Sequence, residues 1–283
     1  MTKTLNNISY LQENINRAQK LIYEADAIII TAGAGIGVDS GLPDFRGDEG
    51  FWRAYPPIAK LGYRFVEMAN PSLFEDDPHL AWGFYGHRLK LYRSTKPHKG
   101  FELLLRLAKE KNDNYFIYTS NVDGQFQKAG FSEDKIYEVH GSIHYLQCTK
   151  NCTDEIWKND IKDIEIDMDT LKAKTLPKCK NCDNIARPNI LMFGDWYFLE
   201  GRSDRQRERF ERFLRQNSGK NIVIIEIGAG TAVPTIRNFG DAFSNSNDHT
   251  TLIRINPRDF EVRNPQDISI PLGALEGLEK ILK

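Results

Sequence analysis

The sequence predicts an α/β fold in which a small cysteine-bearing module is inserted into a Rossmann-like, doubly wound parallel sheet. Short apolar runs typical of buried strands alternate with segments of helical periodicity, and strands in such an order form a parallel sheet covered by helices on both faces. A glycine-rich loop follows the first apolar run, as in dinucleotide-binding folds. All four cysteines fall in one segment that interrupts the alternation.

The first half of the chain begins this alternation. Apolar side chains recur at helical spacing over residues 8–26, and the run AIIIT that follows directly has the length of one buried strand. Glycines then recur at short intervals over residues 31–47. The same patterns predict four further elements: a helix over 102–111, a strand over 115–120, a helix start over 123–130 and a strand over 135–141.

The stretch 143–187 interrupts the alternation of strands and helices, because it combines the cysteines with a long charged run that has little sustained periodicity. We therefore interpret it as an insertion. The alternation resumes after it, with a strand predicted over 189–194, a charged helix over 201–216 and strands over 221–228 and 251–256.

The cysteines are paired locally, Cys148 with Cys152 and Cys179 with Cys182, with 26 residues between the pairs. Two closely spaced cysteine pairs of this kind are typical of a structural zinc site, in which four thiolates hold one Zn²⁺ per chain in tetrahedral geometry. Four buried free thiols are the alternative, but the lysines beside both pairs argue against a core. The predicted division is a dinucleotide-binding domain (1–50, 85–145 and 186–283), the helical part of a small domain (51–84) and a zinc-binding module (146–185).

Composition argues against some classes of partner. The chain has 38 basic and 39 acidic side chains, which leaves no strong field to recruit nucleic acid or an anionic membrane. The arginine-rich helix over 201–216 also carries Asp204, Glu208 and Glu211, which favours a solvated helix face. No secretory signal pattern and no apolar stretch of ~18 residues is present, so a cytoplasmic protein is expected.

The glycine loop continues directly into a specific extension. Glycines after a strand let the backbone approach a pyrophosphate at a helix N-terminus, but a glycine pattern alone is equally consistent with a structural turn. Here the loop reads GAGIGVDSGLPDFRG over residues 33–47, and a simple turn requires none of its second half.

This loop resembles the first signature of the sirtuin (silent information regulator) family of NAD-dependent deacylases. Further segments resemble that family in the family's order: TSNVDGQFQ at 119–127, VHG at 139–141, the paired cysteines, RPNILMFG at 187–194, GAGTAVP at 228–234 and INP at 255–257. The resemblance spans most of the chain and implies NAD as a co-substrate and an acylated protein as the partner.

The resemblance also implies a set of site residues. Asn121 and Asp123 hold the nicotinamide ribose and carboxamide, and His140 is the general base, a role that suits a side chain titrating near neutral pH. His144 matches no family landmark and is expected to be a surface or structural residue. The implied cofactor contacts are Ala32, Gly33, Ala34, Gly35, Asp44, Phe45, Arg46, Ser120, Asn121, Val122, Asp123, Gly228, Gly230 and Asn256.

Some positions depart from the family pattern. Ser120 stands where glutamine is usual, Gln125 and Phe126 stand where Leu-His is frequent, and residues 195–197 read Asp-Trp-Tyr where Glu and then Leu-Pro are common. The first two changes concern the contacts of the nicotinamide ribose. The third concerns the groove that captures a substrate peptide.

Four residues are expected to meet the acylated substrate: Tyr85, Arg88, Phe193 and Gly194. Tyr85 and Arg88 are spaced i to i+3 on a predicted helix and share one face. This pair resembles the Tyr-x-x-Arg pair by which one sirtuin class binds succinyl- or malonyl-lysine, and the planar fork of arginine suits a carboxylate. The alternative is an arginine on an ordinary amphipathic helix.

The activity implied is removal of acyl groups from lysine, with release of nicotinamide and O-acyl-ADP-ribose. Because the first bond-breaking step is shared, a protein ADP-ribosyltransferase or an NAD hydrolase is the alternative on the same fold. A non-catalytic NAD sensor is a further alternative, against which the presence of the full set of implied catalytic residues argues.

Overall fold

The structure is a computed structural model that describes residues 2–44 and 47–282. Its strands are β1 (Ala27–Ala32), β2 (Tyr115–Thr119), β3 (Ile136–Glu138), β4 (Gly141–Cys148), β5 (Trp157–Lys158), β6 (Ile166–Asp167), β7 (Lys172–Ala173), β8 (Ala186–Ile190), β9 (Ile222–Ile227), β10 (Thr250–Ile255) and β11 (Ile268–Ile270).

The helices of the first part are α1 (Thr2–Glu24), α2 (Gly47–Ala54), α3 (Pro56–Leu61), α4 (Phe65–Met68), α5 (Leu73–Asp76), α6 (Pro78–Ser94) and α7 (Lys99–Glu110). Those that follow are α8 (Gln125–Lys128), α9 (Gly201–Gln216), α10 (Thr235–Ser246) and α11 (Ala274–Ile281), and 3₁₀ turns cover Ala34–Ser40 and Glu133–Lys135. No helix among the described residues combines the length and apolar character needed to cross a bilayer.

The large sheet has six parallel strands in the order β3-β2-β1-β9-β10-β11. Isoleucines dominate its centre because these strands are covered on both faces, and Ile30 lies level with Ile117 of β2 and Ile225 of β9. Helices α1, α7 and α11 supply the apolar core of one face, and α9 and α10 supply that of the other. The predicted fold class is confirmed.

The strand order reverses next to β1, since the chain first builds outward to β2 and β3 and later returns to add β9 on the other side. In an open parallel sheet the loops at such a point separate and leave a crevice at the carboxyl ends of the strands. The topology therefore determines where a ligand would bind.

A smaller part of the molecule packs beside this crevice. Strands β5, β4 and β8 form an antiparallel sheet, and β6 and β7 form a short hairpin. These strands share a core with helices α2 to α6, in which Trp82 and Phe84 are fully buried.

The strand predicted over 189–194 begins and ends earlier in the chain, as β8 (Ala186–Ile190). It pairs with β4, with Gly141 level with Ile190 and Cys148 level with Ala186. An apolar run carries no information about its partner strand, so the sequence did not predict this pairing. Helices α3 to α5 lie within 51–84, the segment expected to be helical, whereas helices α10 and α11 and strand β11 are elements that the periodicity did not predict.

Candidate active site

A cavity of about 480 Å³ opens at the carboxyl ends of β1, β2, β3 and β9 and continues towards helix α6. It brings together residues from distant parts of the sequence, including Asn121, Asp123 and His140. The other predicted residues on its wall are Gly33, Ala34, Gly35, Asp44, Tyr85, Arg88, Ser120, Val122, Phe193, Gly228 and Gly230.

Backbone atoms of two loops touch at one end of the cavity. The N–H of Gly33 donates to the Ile227 carbonyl and that of Gly35 to the Gly228 carbonyl, both at 3.0 Å. A Cβ at Gly35 would lie 2.7 Å from the Cα of Gly228, and Gly228 itself has a φ of +62°. Only glycine fits, so the surface offered here is bare backbone of the kind that approaches a pyrophosphate closely.

Asn121 and Asp123 lie on the loop that leaves β2. The Asn121 amide donates to the Gly33 carbonyl at 3.1 Å, which ties this loop to the glycine loop. An oxygen of Asp123 accepts the Gln125 N–H at 2.9 Å. Burial raises the pKa of Asp123 to about 6; the Gln125 N–H opposes this shift and the negative charge of Glu138 adds to it.

His140 lies in the two-residue turn between β3 and β4 and faces the same cavity. Its Nε2 lies 3.3 Å from the Thr235 hydroxyl at the start of α10. Burial lowers the pKa of His140 below its ordinary value, so the imidazole is neutral at pH 7. A neutral, half-buried imidazole on the wall of a cavity is suited to accept a proton.

His144 lies behind this wall and supports Asp123. Its Nε2 is 2.9 Å from the Asp123 carbonyl oxygen, and its ring packs so closely on Gly124 that a Cβ there would lie 2.7 Å from Cδ2 of His144. The ring is half-buried and does not reach the large cavity. His144 therefore acts as a structural support of the Asp123 loop.

Helix α6 supplies the opposite end of the cavity. Arg88 is only 6% exposed, and its Nε and Nη2 donate to the Tyr92 hydroxyl at 3.0 and 2.8 Å. Its guanidinium also lies 5.2 Å from the ring centre of Phe84 and 5.6 Å from that of Tyr85. The Tyr85 hydroxyl is buried and has no hydrogen-bond partner among the described residues. A buried cation and an unpaired hydroxyl thus adjoin one cavity wall.

The third departure from the family pattern has a clear structural role. The Asp195 side chain is fully buried and accepts two hydrogen bonds from Arg187, at 2.7 and 2.9 Å, and a third from the Tyr197 N–H at 3.0 Å. This pair fixes the turn that follows β8 and places Phe193 on the rim of the cavity. Trp196 remains 91% exposed.

Not every predicted site residue reaches the cavity. Ala32 and Asn256 are fully buried behind its wall, where the Asn256 amide donates to the Ala229 carbonyl at 2.8 Å. Gly194 is absent from the wall and has a φ of +67° in the turn beside Phe193. Phe45 and Arg46 lie outside the described residues.

Two neighbours of the site were not found from the sequence. Tyr92 and Thr235 contact Arg88 and His140 respectively, although neither belongs to a motif. Tyr92 could have been found from the helical spacing, because Tyr85, Arg88 and Tyr92 fall at i, i+3 and i+7 on one helix face. No comparable signal links Thr235 to His140, which is 95 residues away in sequence.

The four cysteines converge away from the cavity. The ligand atoms of Cys148, Cys152, Cys179 and Cys182 all lie within 4.8 Å of one another, and two of the sulfur pairs are 3.6 Å apart. With Zn–S bonds of about 2.3 Å, a tetrahedral site requires sulfur atoms about 3.8 Å apart. The donor set and its spacing therefore fit one zinc ion.

Comparison with known proteins is consistent with this geometry. A family model described as the Sir2 family matches residues 33–233. The NAD-dependent protein deacylase of Thermococcus sibiricus is 33% identical over 64% of this chain, and the match covers 65% of that protein. The NAD-dependent protein deacylase of Aquifex aeolicus is 27% identical over 90% of this chain and 93% of its own length.

Solved structures are similar as well. A mutant Sir2 homologue in complex with ADP-ribose superposes with a TM-score of 0.65 at 25% identity, covering 93% of both chains. A Sir2 homologue in complex with NAD, at 24% identity, has the same fold with a TM-score of 0.65 and covers 93% of this chain and 91% of that one.

The carboxyl group of Asp123 should titrate near pH 6, since its pKa is raised by burial. It is then protonated below about pH 6 and ionised at neutral pH. Carbon-13 NMR of protein labelled at the aspartate carboxyl carbons, with the resonance assigned by Asp123→Asn, measures the midpoint. Exposed Asp167, whose pKa is lowered by the Asp169 N–H, is the internal control and should titrate well below Asp123. A midpoint for Asp123 equal to that of Asp167 would contradict the predicted desolvation.

Proposed function

The chain belongs to the Sir2 family, and on that premise we propose that it is an NAD-dependent protein lysine deacylase, which transfers the acyl group to ADP-ribose and releases nicotinamide. One observation carries the proposal. One cavity joins a bare glycine surface, the pair Asn121 and Asp123, and a neutral His140 to a pocket that ends at a buried arginine. The names of the two deacylase relatives support it.

Different parts of the cavity are proposed to bind different parts of NAD. The backbone around Gly33, Gly35 and Gly228 accommodates the pyrophosphate of NAD, because no side chain intervenes there. Asn121 and Asp123 hold the nicotinamide ribose and its carboxamide. With NAD bound, the acyl oxygen displaces nicotinamide at the ribose carbon, and polar groups of the site stabilise the positive charge that develops.

His140 handles the proton of the reaction. It takes the proton from the ribose hydroxyl that attacks the acyl-derived carbon, and its neutral state at pH 7 leaves a ring nitrogen able to do so. Thr235, 3.3 Å from Nε2, orients the ring. The substrate is an acylated lysine of another protein, which enters past Phe193 at the rim.

His140→Ala should retain NAD binding while acyl-lysine turnover falls about 100-fold or more, the scale expected for loss of a general base. Binding is measured by calorimetry and turnover by mass spectrometry of nicotinamide and O-acyl-ADP-ribose. His249→Ala, which removes an exposed histidine at the amino end of β10, opposite the carboxyl ends that form the cavity, is the matched control and should behave as wild type.

The same assay separates deacylation from related reactions. O-acyl-ADP-ribose formed in proportion to nicotinamide supports the proposal. ADP-ribosylated protein would identify a transferase, and free ADP-ribose alone would identify an NAD hydrolase. Full deacylase activity of His140→Ala would exclude His140 as the base.

The four cysteines are proposed to hold one structural zinc ion per chain. Their sulfur spacing fits the metal, and four thiolates leave no coordination position for water, so the ion organises the inserted module and takes no part in the reaction. Metal ligation by reduced cysteines is also the basis for proposing a cytoplasmic location.

Elemental analysis of freshly purified, reduced protein should find one zinc per chain. Cys179→Ser should lose the metal and become poorly soluble, because the module loses its organising centre. Asn181→Ala, which changes a neighbouring exposed side chain and leaves all four sulfurs in place, is the control. Absence of zinc from the wild-type protein would refute the assignment.

The pocket at α6 favours an acyl group that carries a carboxylate. Arg88 is buried at the end of the cavity, and three tyrosine hydroxyls lie near its guanidinium. Burial works against the charge of Arg88, but Tyr92, Tyr85 and Tyr55 more than offset this effect, so its pKa stays above its ordinary value. A permanent cation in a desolvated pocket pairs with succinyl- or malonyl-lysine and gains no such pair from acetyl-lysine.

Arg88→Met should raise the Michaelis constant for a succinylated peptide at least ~10-fold, the worth of a charged hydrogen bond, and leave acetyl-peptide kinetics nearly unchanged. Lys90→Met removes an exposed cation from the same helix and should alter neither. Equal losses on both peptides would instead assign Arg88 to support of the helix, and no loss on either would remove it from substrate recognition.

A further inference from the structure

We propose that Tyr92 is the positioning residue that sets acyl-group specificity, because its hydroxyl holds the guanidinium of Arg88 in the orientation that meets the acyl chain. Tyr92 lies one helical turn beyond Arg88 on α6 and also lines the cavity. The inference rests on the proposed preference for acidic acyl groups, since a positioned guanidinium matters only to a substrate that pairs with it.

The contact is specific in geometry. A single oxygen accepts from both Nε, at 3.0 Å, and Nη2, at 2.8 Å, so it engages one whole edge of the planar fork. The guanidinium carbon lies 5.4 Å from the centre of the Tyr92 ring. Arg88 and Tyr92 are 6% and 5% exposed, so solvent does not compete for these hydrogen bonds.

The contact between Arg88 and Tyr92 lowers the entropic cost of binding the substrate. An arginine side chain has several rotatable bonds, and a guanidinium that must be ordered when substrate arrives loses affinity through that ordering. Tyr92 orders it beforehand. It also satisfies two buried N–H donors that would otherwise be costly to desolvate.

A tyrosine orients the cation without neutralising it. Burial raises the pKa of Tyr92 above its ordinary value, although Arg88 acts in the opposite direction, so the phenol is neutral at pH 7. A carboxylate at position 92 would form the same hydrogen bonds and cancel the charge on which an acidic acyl group depends. The hydroxyl is therefore suited to this task.

Tyr92 is itself fixed from the cofactor side of the cavity. Its main-chain carbonyl accepts the side-chain amide of Gln125 at 3.2 Å, and the Gln125 N–H donates to Asp123 at 2.9 Å. Gln125 is 2% exposed and is one of the residues that depart from the family pattern. The departure thus places an amide where it links the acyl pocket to the loop that bears Asp123.

The test is Tyr92→Phe, which keeps the ring and deletes only the hydroxyl. The Michaelis constant for a succinylated peptide should rise about 5-fold or more, as expected for loss of a hydrogen bond to a charged group, while kcat and the constant for the acetylated peptide change less than about 2-fold. Tyr115→Phe is the matched control, since that hydroxyl also accepts an N–H and its ring also lies under a cation, Lys135 at 4.8 Å, at the other end of β2.

The double variant Arg88→Met with Tyr92→Phe provides a second measurement and leaves neither partner unpaired. It should match Arg88→Met alone on both peptides, because Tyr92 acts through Arg88. A further loss on the succinylated peptide in the double variant would overturn the inference. So would equal losses on both peptides, or none, in Tyr92→Phe.

Failure of this inference can be told apart from failure of the proposed acyl preference. If Arg88→Met loses the succinylated peptide selectively and Tyr92→Phe does not, the preference stands and the role of Tyr92 is refuted. If neither variant distinguishes the peptides, the acidic-acyl preference is wrong and the positioning role falls with it.

Discussion

The close backbone contact between the loops after β1 and β9 is the constraint on which the site depends. Gly35 donates to the Gly228 carbonyl at 3.0 Å, across the point where the strand order reverses. This contact closes one end of the crevice with main chain alone, and Asn121 joins it by donating to the Gly33 carbonyl. The loops from three strands are thereby held at fixed distances from one another.

Desolvation by the surrounding core sets the chemistry of the cavity. The same burial raises the pKa of Asp123 and lowers that of His140, so both groups are shifted towards their neutral forms. At pH 7 the carboxyl group is still mostly ionised and the imidazole is neutral. An anion and a proton acceptor therefore coexist on one wall, as the proposed reaction requires.

Hydrogen bonds link the two ends of the cavity. Arg88 donates to the Tyr92 hydroxyl, the Gln125 side-chain amide donates to the Tyr92 main-chain carbonyl, and the Gln125 N–H donates to Asp123. Arg88, Tyr92 and Gln125 are buried, so solvent does not compete for the hydrogen bonds that link α6 to the loop bearing Asp123. The cavity walls at α6 and at Asp123 thus share structural support.

The sequence by itself determined the fold class, the alternation of strands and helices on both sides of the inserted segment and several residues of the cavity wall, because periodicity and motifs are local properties of a chain. The motifs at 33–47, 119–127 and 139–141 identified residues that meet in one cavity. The tertiary structure alone decided contacts between distant segments. It placed β8 beside β4, buried Asn256 behind the wall, set Thr235 against His140 and brought Tyr92 to Arg88 in the wall shared with Asp123. Burial, pairing and desolvation arise from packing, and no local pattern encodes them.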